Sequence, residues 1–200
     1  MQTFIDHARN FRDRIADHHQ AREEFARLAT GQSPLALFIT CSDSRVIPAL
    51  FTGARPGELF ELRTAGNAVP QYRDGQGPSS EAATIEYAVR VLGVRDIVVC
   101  GHSHCGAVGA MARGDDLAGV PSVRDWLTEQ VDDELPDDDG PEVTAAVQRH
   151  VRAQLERLRG YPCVRERLAE RRLRLHGWFY EIHTGLVLAH RPSADAFLPL

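Results

Sequence analysis

The residue types in this chain that are best suited to metal chemistry lie in a short segment near residue 102. His102 and Cys105 are separated by two residues, a spacing that lets one turn present two side chains to a single ion. The segment follows an apolar run at residues 97–100, which predicts a buried strand ending in a turn. A helix is predicted from Gly106, so Cys105 would lie at a helix amino terminus, which favours its thiolate form. Because a catalytic zinc site has three protein ligands and one open position, a third ligand must come from elsewhere in the chain.

A second group of candidate residues follows the apolar run at residues 35–41. Cys41, Asp43 and Arg45 alternate along the chain, so in an extended conformation they project to the same side. Taken alone, the group is equally well explained as a surface ion pair beside a buried cysteine. Open α/β sheets carry their chemistry at the carboxyl ends of the strands. If both strands end at that edge, Cys41 supplies the third ligand.

The other cysteines and several histidines are interpreted as structural. Cys100 lies within an apolar strand and Cys163 has no neighbouring ligand, so both are predicted to be buried in the core. His176, His183 and His190 lie in or beside a predicted hairpin near the carboxyl end, where a structural role is the simplest interpretation.

The elements that must position these side chains alternate between strands and helices. This order predicts an α/β fold with a mainly parallel central β-sheet, four strands plus an edge strand, flanked by helices. Buried strands are predicted at residues 35–41, 59–63 and 97–100, and an edge hairpin over residues 173–189. Helical patterns cover residues 1–29 (one or two helices), 80–92, 121–131 and 142–158.

Two loops are also predicted from composition. Ser79 or Ser80 closes a glycine-rich turn and can cap the helix that follows. The acidic run at residues 132–140 is interpreted as a loop and not as a calcium site, because the glycine and glutamate positions of a calcium loop are missing.

Composition limits the class of protein. The chain has 200 residues, 43% of them apolar, and no repeat, which fits one domain. Within it, the helical pattern of residues 1–29 predicts an N-terminal helical arm, and the candidate zinc ligands lie in an α/β core at residues 30–200. A formal net charge of −5 without a basic stripe argues against a nucleic-acid-binding protein. With no long apolar segment and no signal-peptide pattern, the sequence predicts a soluble, cytoplasmic protein that does not bind a membrane. In that reducing compartment, four cysteines indicate metal or catalytic thiols before disulfides.

Together the two polar segments resemble the zinc signature of the β-class carbonic anhydrases. The matching residues are Cys41-x-Asp43-x-Arg45 and His102-x-x-Cys105, extended by Arg63 with Ala65-Gly66-Asn67 and by Leu175-His176-Gly177-Trp178. The resemblance implies one Zn²⁺ per subunit bound by Cys41, His102 and Cys105, with Asp43 and Arg45 as a supporting catalytic dyad. It also implies a homodimer or a larger homo-oligomer, with the N-terminal helices packing on a partner subunit.

The family is divided into an always-open form and a gated form, and the gated form carries a tryptophan three residues before the first cysteine. Phe38 occupies that position here. The resemblance therefore implies the open form, with water or hydroxide as the fourth zinc ligand and Asp43 held off the metal by Arg45. At the positions of the open form's substrate pocket the chain has Gln32, Phe60 and Tyr87.

The activity implied by the resemblance is the reversible hydration of carbon dioxide to bicarbonate and a proton through zinc-bound hydroxide. A carbonyl sulfide or carbon disulfide hydrolase on the same scaffold is an alternative. A structural or sensing zinc protein is a more remote one, since a closed site normally shows a second CxxC or an equivalent pair. A redox thiol protein is excluded because the chain has no CxxC.

Overall fold

The structure is a computed structural model that describes residues 1–75, 77, 79–131, 140 and 143–200. The chain divides into two units, Met1–Ser33 and Pro34–Leu200. Among the described helices, none is both long and apolar enough to cross a membrane. The predicted loop at residues 132–140 lies outside the described residues except for Gly140.

The amino-terminal unit consists of three short helices, α1 (Gln2–Arg9), α2 (Phe11–Ala16) and α3 (His19–Leu28). The sequence predicts one or two helices, but an extended residue at His18 separates α3 from α2. No residue of the three helices is buried. The apolar side chains of Phe4 and Phe11 are exposed, and Phe11 packs edge-on against Phe25 with ring centroids 5.7 Å apart.

The second unit is built on a six-stranded sheet with the strand order β2-β1-β3-β4-β5-β6. Its strands are β1 (Ala36–Cys41), β2 (Leu59–Thr64), β3 (Asp96–His102), β4 (Arg174–Tyr180), β5 (Val187–Arg191) and β6 (Ala196–Pro199). The strands β2, β1, β3 and β4 run parallel to one another, whereas β5 pairs antiparallel with β4 and β6 pairs antiparallel with β5. The predicted mainly parallel sheet and the β4–β5 hairpin are confirmed. The prediction omits β6, a strand of four residues that is too short to show an alternating pattern.

Helices cover the sheet, and most of their predicted positions are confirmed. They are α4 (Pro48–Thr52), α5 (Ser80–Glu86), α6 (Gly106–Arg113), α7 (Pro121–Gln130), α8 (Thr144–Arg159) and α9 (Pro162–Ala169). A 3₁₀ turn spans Ala65–Asn67, and a π-helical turn at Tyr87–Val91 continues α5. Ser79 caps α5, since its hydroxyl accepts a hydrogen bond from the Ala82 amide at 3.1 Å.

The main core lies between the sheet and α8. β1 is buried along its whole length, as expected for a central parallel strand. α8 approaches β3 closely at Gly101, where a Cβ atom would overlap the side chains of Val147 and Val151. A smaller apolar cluster on the other face contains Phe38, Val46, Val98, Cys100 and Tyr180. Cys100 and Cys163 are both buried, as predicted.

Candidate metal centre

Parallel pairing brings the ends of β1 and β3 to one edge of the sheet. Thr40 pairs with Cys100, so Cys41 at the end of β1 and His102 at the end of β3 emerge side by side. The chain then turns, and Cys105 occupies the N-cap of α6. The predicted meeting of the two polar segments at the carboxyl edge is therefore confirmed.

Cys41, His102 and Cys105 each offer one ligand atom, and these atoms lie within 4.8 Å of one another. All three residues are buried, with exposed fractions of 6%, 0% and 1%. The ring Nδ1 of His102 lies 2.8 Å from the carbonyl oxygen of Ser103, so Nδ1 carries the proton and donates it. Nε2 is left with a lone pair, and it is buried without a hydrogen-bond partner.

A divalent cation would satisfy this donor set. A buried, unpartnered ring nitrogen is costly unless something binds its lone pair. Two sulfurs and one imidazole nitrogen are the ligand types that suit zinc, and three protein ligands leave a fourth position open. Among the described residues, no fourth histidine, cysteine or carboxylate joins the group. The residues present therefore fit a zinc ion with one exchangeable position.

The Cys41 sulfur is surrounded by hydrogen-bond donors. A hydrogen bond from the Cys105 thiol lowers the pKa of Cys41 to about 4, although burial acts to raise it. The backbone N–H groups of Asp43 and Gly66 also favour the thiolate and contribute to this lowered pKa. Cys41 is therefore a thiolate before any metal binds.

The Cys105 thiol keeps its proton in the absence of metal. Its pKa is raised, first by the hydrogen bond it makes to Cys41 and then by burial. The backbone N–H groups of Ala107 and Val108, in the first turn of α6, act to lower it. The predicted effect of the helix terminus is thus present, but in the metal-free protein it is outweighed by the neighbouring Cys41 thiolate.

Asp43 and Arg45 form a two-point ion pair beside the three ligands. Arg45 donates from Nε to Oδ1 at 2.9 Å and from Nη2 to Oδ2 at 2.6 Å, and its backbone N–H also reaches Oδ1 at 2.9 Å. These bonds lower the pKa of Asp43 to about 2, against a smaller effect of burial. Asp43 Oδ2 lies 3.9 Å from His102 Nε2, so the carboxylate borders the metal position.

Arg63 fixes the loop that carries this pair. Its guanidinium donates to the carbonyl oxygens of Cys41, Asp43 and Val46, at 2.9, 2.9 and 2.7 Å from Nη2. A second bond to Cys41 comes from Nε at 3.2 Å. Three carbonyls held by one side chain give the segment after β1 a defined shape.

A buried polar network supports the loop on the other side of Cys41. His150 Nε2 donates to the carbonyl of Gly66 at 2.8 Å, and Gln154 Oε1 accepts from the Val69 amide at 2.8 Å. Gln154 Nε2 lies 3.3 Å from His150 Nδ1, which fixes the ring tautomer with its proton on Nε2. Gly66, at φ +73°, is the residue whose amide faces the Cys41 sulfur. His150 and Gln154 therefore position a hydrogen-bond donor to a candidate ligand.

Comparison with known proteins agrees with this geometry. A family model described as carbonic anhydrase matches residues 36–187. The solved structure of the β-carbonic anhydrase CcaA has a TM-score of 0.90 and 38% sequence identity, covering 100% of this chain and 99% of that chain. The chain belongs to the β-carbonic anhydrase family.

Other β-carbonic anhydrases and relatives give the same result. A carbonic anhydrase of Pseudomonas aeruginosa is 46% identical over 191 residues, which is 92% of this chain and 86% of that protein. A structure from a study of two tetrameric β-carbonic anhydrases of Sordaria macrospora has a TM-score of 0.78 and 32% identity, covering 94% of this chain and 97% of that chain. The family consists of lyases that hydrate carbon dioxide. The resemblance drawn from the two motifs is confirmed.

The residues predicted to form the substrate pocket of this β-carbonic anhydrase lie away from the metal ligands of the same chain. On β2, Phe60 pairs with Leu37, whereas Thr64, four positions further along the strand, pairs with Cys41. Phe60 therefore lies about 13 Å along the sheet from the end of β1 that carries Cys41. The Tyr87 ring lies 5.9 Å from the Phe60 ring, so the two form one aromatic pair. Gln32 belongs to the amino-terminal unit, and its role stays a prediction.

Sequence reasoning missed Arg63 as a loop anchor and missed His150 and Gln154 entirely. One signal for the last two was present. They lie four residues apart on the face of α8 that carries Val147, Val151, Leu155 and Leu158. Polar residues on a buried helix face require hydrogen-bond partners, so this position indicates a network.

Proposed function

We propose that this protein catalyses the zinc-dependent, reversible hydration of carbon dioxide to bicarbonate and a proton. The observation that supports it most is the convergence of Cys41, His102 and Cys105 on one point, with the His102 Nε2 lone pair left for a cation. Zinc bound there would act as a Lewis acid that lowers the pKa of a coordinated water and so supplies a nucleophile near neutral pH.

Asp43 would orient the attacking oxygen. Because Arg45 holds the pKa of Asp43 at about 2, the carboxylate stays ionised near neutrality and can only accept a hydrogen bond. A hydroxyl that donates to Asp43 points a lone pair away from it, toward an incoming carbon atom. Arg45 donates a third side-chain bond, from Nη2 to the carbonyl of His104 at 3.0 Å, which fixes the dyad to the turn that carries the ligands.

The dyad also supports the open form of the site. Both oxygens of Asp43 are already bound to Arg45, so the carboxylate would have to break charge-assisted bonds to bind zinc. Phe38 is buried against Phe51 and Trp178 and offers no polar group to a second pocket. We therefore infer that the fourth position is taken by solvent.

The substrate pocket would be completed by a second subunit. Phe60 lies on β2, the edge strand of the sheet, and Tyr87 beside it is 44% exposed. An aromatic pair at a free edge can line the metal site of a neighbouring chain, although it cannot reach the site of its own. The Sordaria macrospora relatives are described as tetrameric, which agrees with a homo-oligomer. Exposed Phe4 and Phe11 support the packing of the N-terminal helices on a partner.

The test is stopped-flow hydration of carbon dioxide by zinc-loaded protein, with carbonyl sulfide as a second substrate. We expect hydration of carbon dioxide that is lost on zinc removal and regained on zinc addition. Faster turnover of carbonyl sulfide would assign the protein to the hydrolase alternative. Zinc that is bound with no turnover of either substrate would indicate a structural or sensing site.

A further inference from the structure

Five arginines converge at the edge of the sheet opposite the metal centre. Together with Gly93 and Val94 they line an open cleft of about 550 Å³; the five are Arg95, Arg167, Arg171, Arg172 and Arg174. The cleft lies at the amino ends of β3 and β4, where Asp96 pairs with Arg174. From Asp96 to His102 the strand β3 runs for about 20 Å. The cleft and the metal centre are therefore separate sites.

The positive charge in the cleft is only partly balanced. Asp96 is occupied by two bonds from Arg174, both at 2.8 Å, and by His176 at 2.7 Å. Glu170 lies 3.4 Å from Arg167 and 3.7 Å from Arg172. Within the part of the chain that the structure describes, Arg95 and Arg171 have no carboxylate partner.

Two carboxylates thus face five guanidinium groups, which leaves three positive charges over. The chain as a whole carries a formal net charge of −5, so this excess is a local feature and not a general property of the surface. Such a concentration of like charge disfavours the folded state unless an anion offsets it.

The backbone places one of these arginines where glycine is preferred. Arg171 has φ 56° at the end of α9. Its amide bonds to the carbonyl of Leu168 at 3.0 Å, and the amide of Arg172 bonds to the carbonyl of Arg167 at 2.9 Å. This is the Schellman pattern of a helix end, in which the left-handed residue is usually glycine. The chain keeps an arginine at a position where glycine would be less strained, and that arginine lines the cleft.

We propose that this arginine cleft binds a small polyanion that carries two or more phosphate groups. The planar guanidinium fork matches phosphate oxygens in pairs, which makes arginine the residue best suited to this recognition. The cleft has the volume of a small-molecule site. A nucleic acid is the poorer match, because none of the described residues that line the cleft is an aromatic one on which a base could stack.

Calorimetry of the zinc-loaded protein with sodium tripolyphosphate at low salt tests the proposal. The probe can also chelate zinc, so the zinc content is measured before and after each titration. After the heat of zinc chelation has been subtracted, we expect the titration to show one tripolyphosphate site per chain. Arg171→Gly should weaken binding about tenfold, as expected for one lost charge-assisted contact. The double variant Arg171→Gly/Arg95→Gln should bind tripolyphosphate about a hundredfold more weakly than the unsubstituted protein.

Two further measurements separate recognition from structure. Arg171→Gly should raise the midpoint of thermal unfolding, because glycine fits the left-handed conformation, and it should leave carbon dioxide hydration unchanged. The double variant Arg12→Gln/Arg22→Gln removes two exposed charges from the amino-terminal helices. Its affinity for tripolyphosphate should stay within twofold of that of the unsubstituted protein.

Three results would overturn the proposal. One is the absence of binding at 1 mM tripolyphosphate beyond zinc chelation. Another is a loss of affinity in the Arg12→Gln/Arg22→Gln control equal to that of the Arg171→Gly/Arg95→Gln variant, which would mean that net charge alone accounts for binding. The third is tighter binding of a 20-nucleotide RNA than of tripolyphosphate, which would assign the cleft to nucleic acid.

Discussion

Arg45 binds both carboxylate oxygens of Asp43, with Nε 2.9 Å from Oδ1 and Nη2 2.6 Å from Oδ2. The pair sets the ionisation and the direction of a carboxylate that borders the metal position. In the proposed open form these bonds keep the carboxylate off the metal, since each oxygen already accepts a hydrogen bond from the guanidinium.

Replacing Asp43 with alanine should therefore separate metal binding from catalysis. We expect Asp43→Ala to keep its zinc and to lose carbon dioxide hydration by about 10²-fold or more, since a positioned hydrogen-bonding carboxylate is removed. Zinc analysis and stopped-flow kinetics measure the two effects. Asp125→Ala breaks an exposed pair with Arg124 and serves as the control. Turnover close to the unsubstituted level in Asp43→Ala would remove Asp43 from the mechanism.

Replacing Cys105 with serine should reduce the zinc content. Serine is a poor zinc ligand, and the two remaining ligands do not hold the ion against dialysis. Cys163→Ser is a matched control, because Cys163 is also buried but lies outside the ligand group. Full zinc occupancy of Cys105→Ser after dialysis is incompatible with its role as a ligand.

The two sulfurs predict how zinc binding depends on pH. Cys41 has a pKa of about 4 and Cys105 a raised pKa, so the metal-free pair holds one proton at pH 8. Zinc must displace that proton, so its affinity should rise with pH. Calorimetry at pH 8 in buffers of different ionisation enthalpy should show about one proton released from the thiols per zinc, and at most one more from the water that zinc acidifies. Release of more than two protons per zinc would contradict the shared-proton pair.

The network behind Gly66 should affect both stability and the metal. His150→Phe removes the donor to the Gly66 carbonyl, and the free energy of unfolding should fall by about 1–3 kcal/mol. Zinc affinity should fall about tenfold or more, because the Gly66 amide is no longer held at the Cys41 sulfur. His190→Gln, at a histidine paired with Asp195, is the control. Unchanged zinc affinity in a destabilised His150→Phe would leave the network a purely structural role.

We propose that each subunit contributes its Phe60–Tyr87 pair to the metal site of its partner, and this can be tested by mixing two inactive variants. Asp43→Ala chains and Phe60→Ala/Tyr87→Ala chains should each be nearly inactive alone. In a mixed dimer, one site combines an intact Asp43 with an intact aromatic pair from its partner, so co-refolding should restore about a quarter of the full activity. Mixtures that stay as inactive as their components would place the pocket within one chain.

Much of the metal centre was predictable because it depends on local pattern. Two apolar strands followed by ligand-type residues, in a chain whose elements alternate, lead to Cys41, His102 and Cys105 at one sheet edge. The hairpin formed by β4 and β5 follows from similar signals. Asp43 and Arg45 are two residues apart, so their pairing is also local.

The rest depends on contacts between distant parts of the chain. Gln154 meets Val69 across 85 positions, and Arg63 meets Cys41 across 22. Such partners are set by packing, which local pattern does not specify. The raised pKa of Cys105 in the metal-free protein also depends on such a contact, the one with Cys41. The placement of Phe60 follows from strand register, which a short apolar run leaves open.

Zinc K-edge X-ray absorption of the loaded protein tests the central claim most directly. The account predicts two sulfur scatterers at about 2.3 Å and two nitrogen or oxygen scatterers at about 2.0–2.1 Å, from His102 and solvent. A zinc ion with no sulfur neighbours, or with four, would contradict the convergence of Cys41, His102 and Cys105 on one open metal site.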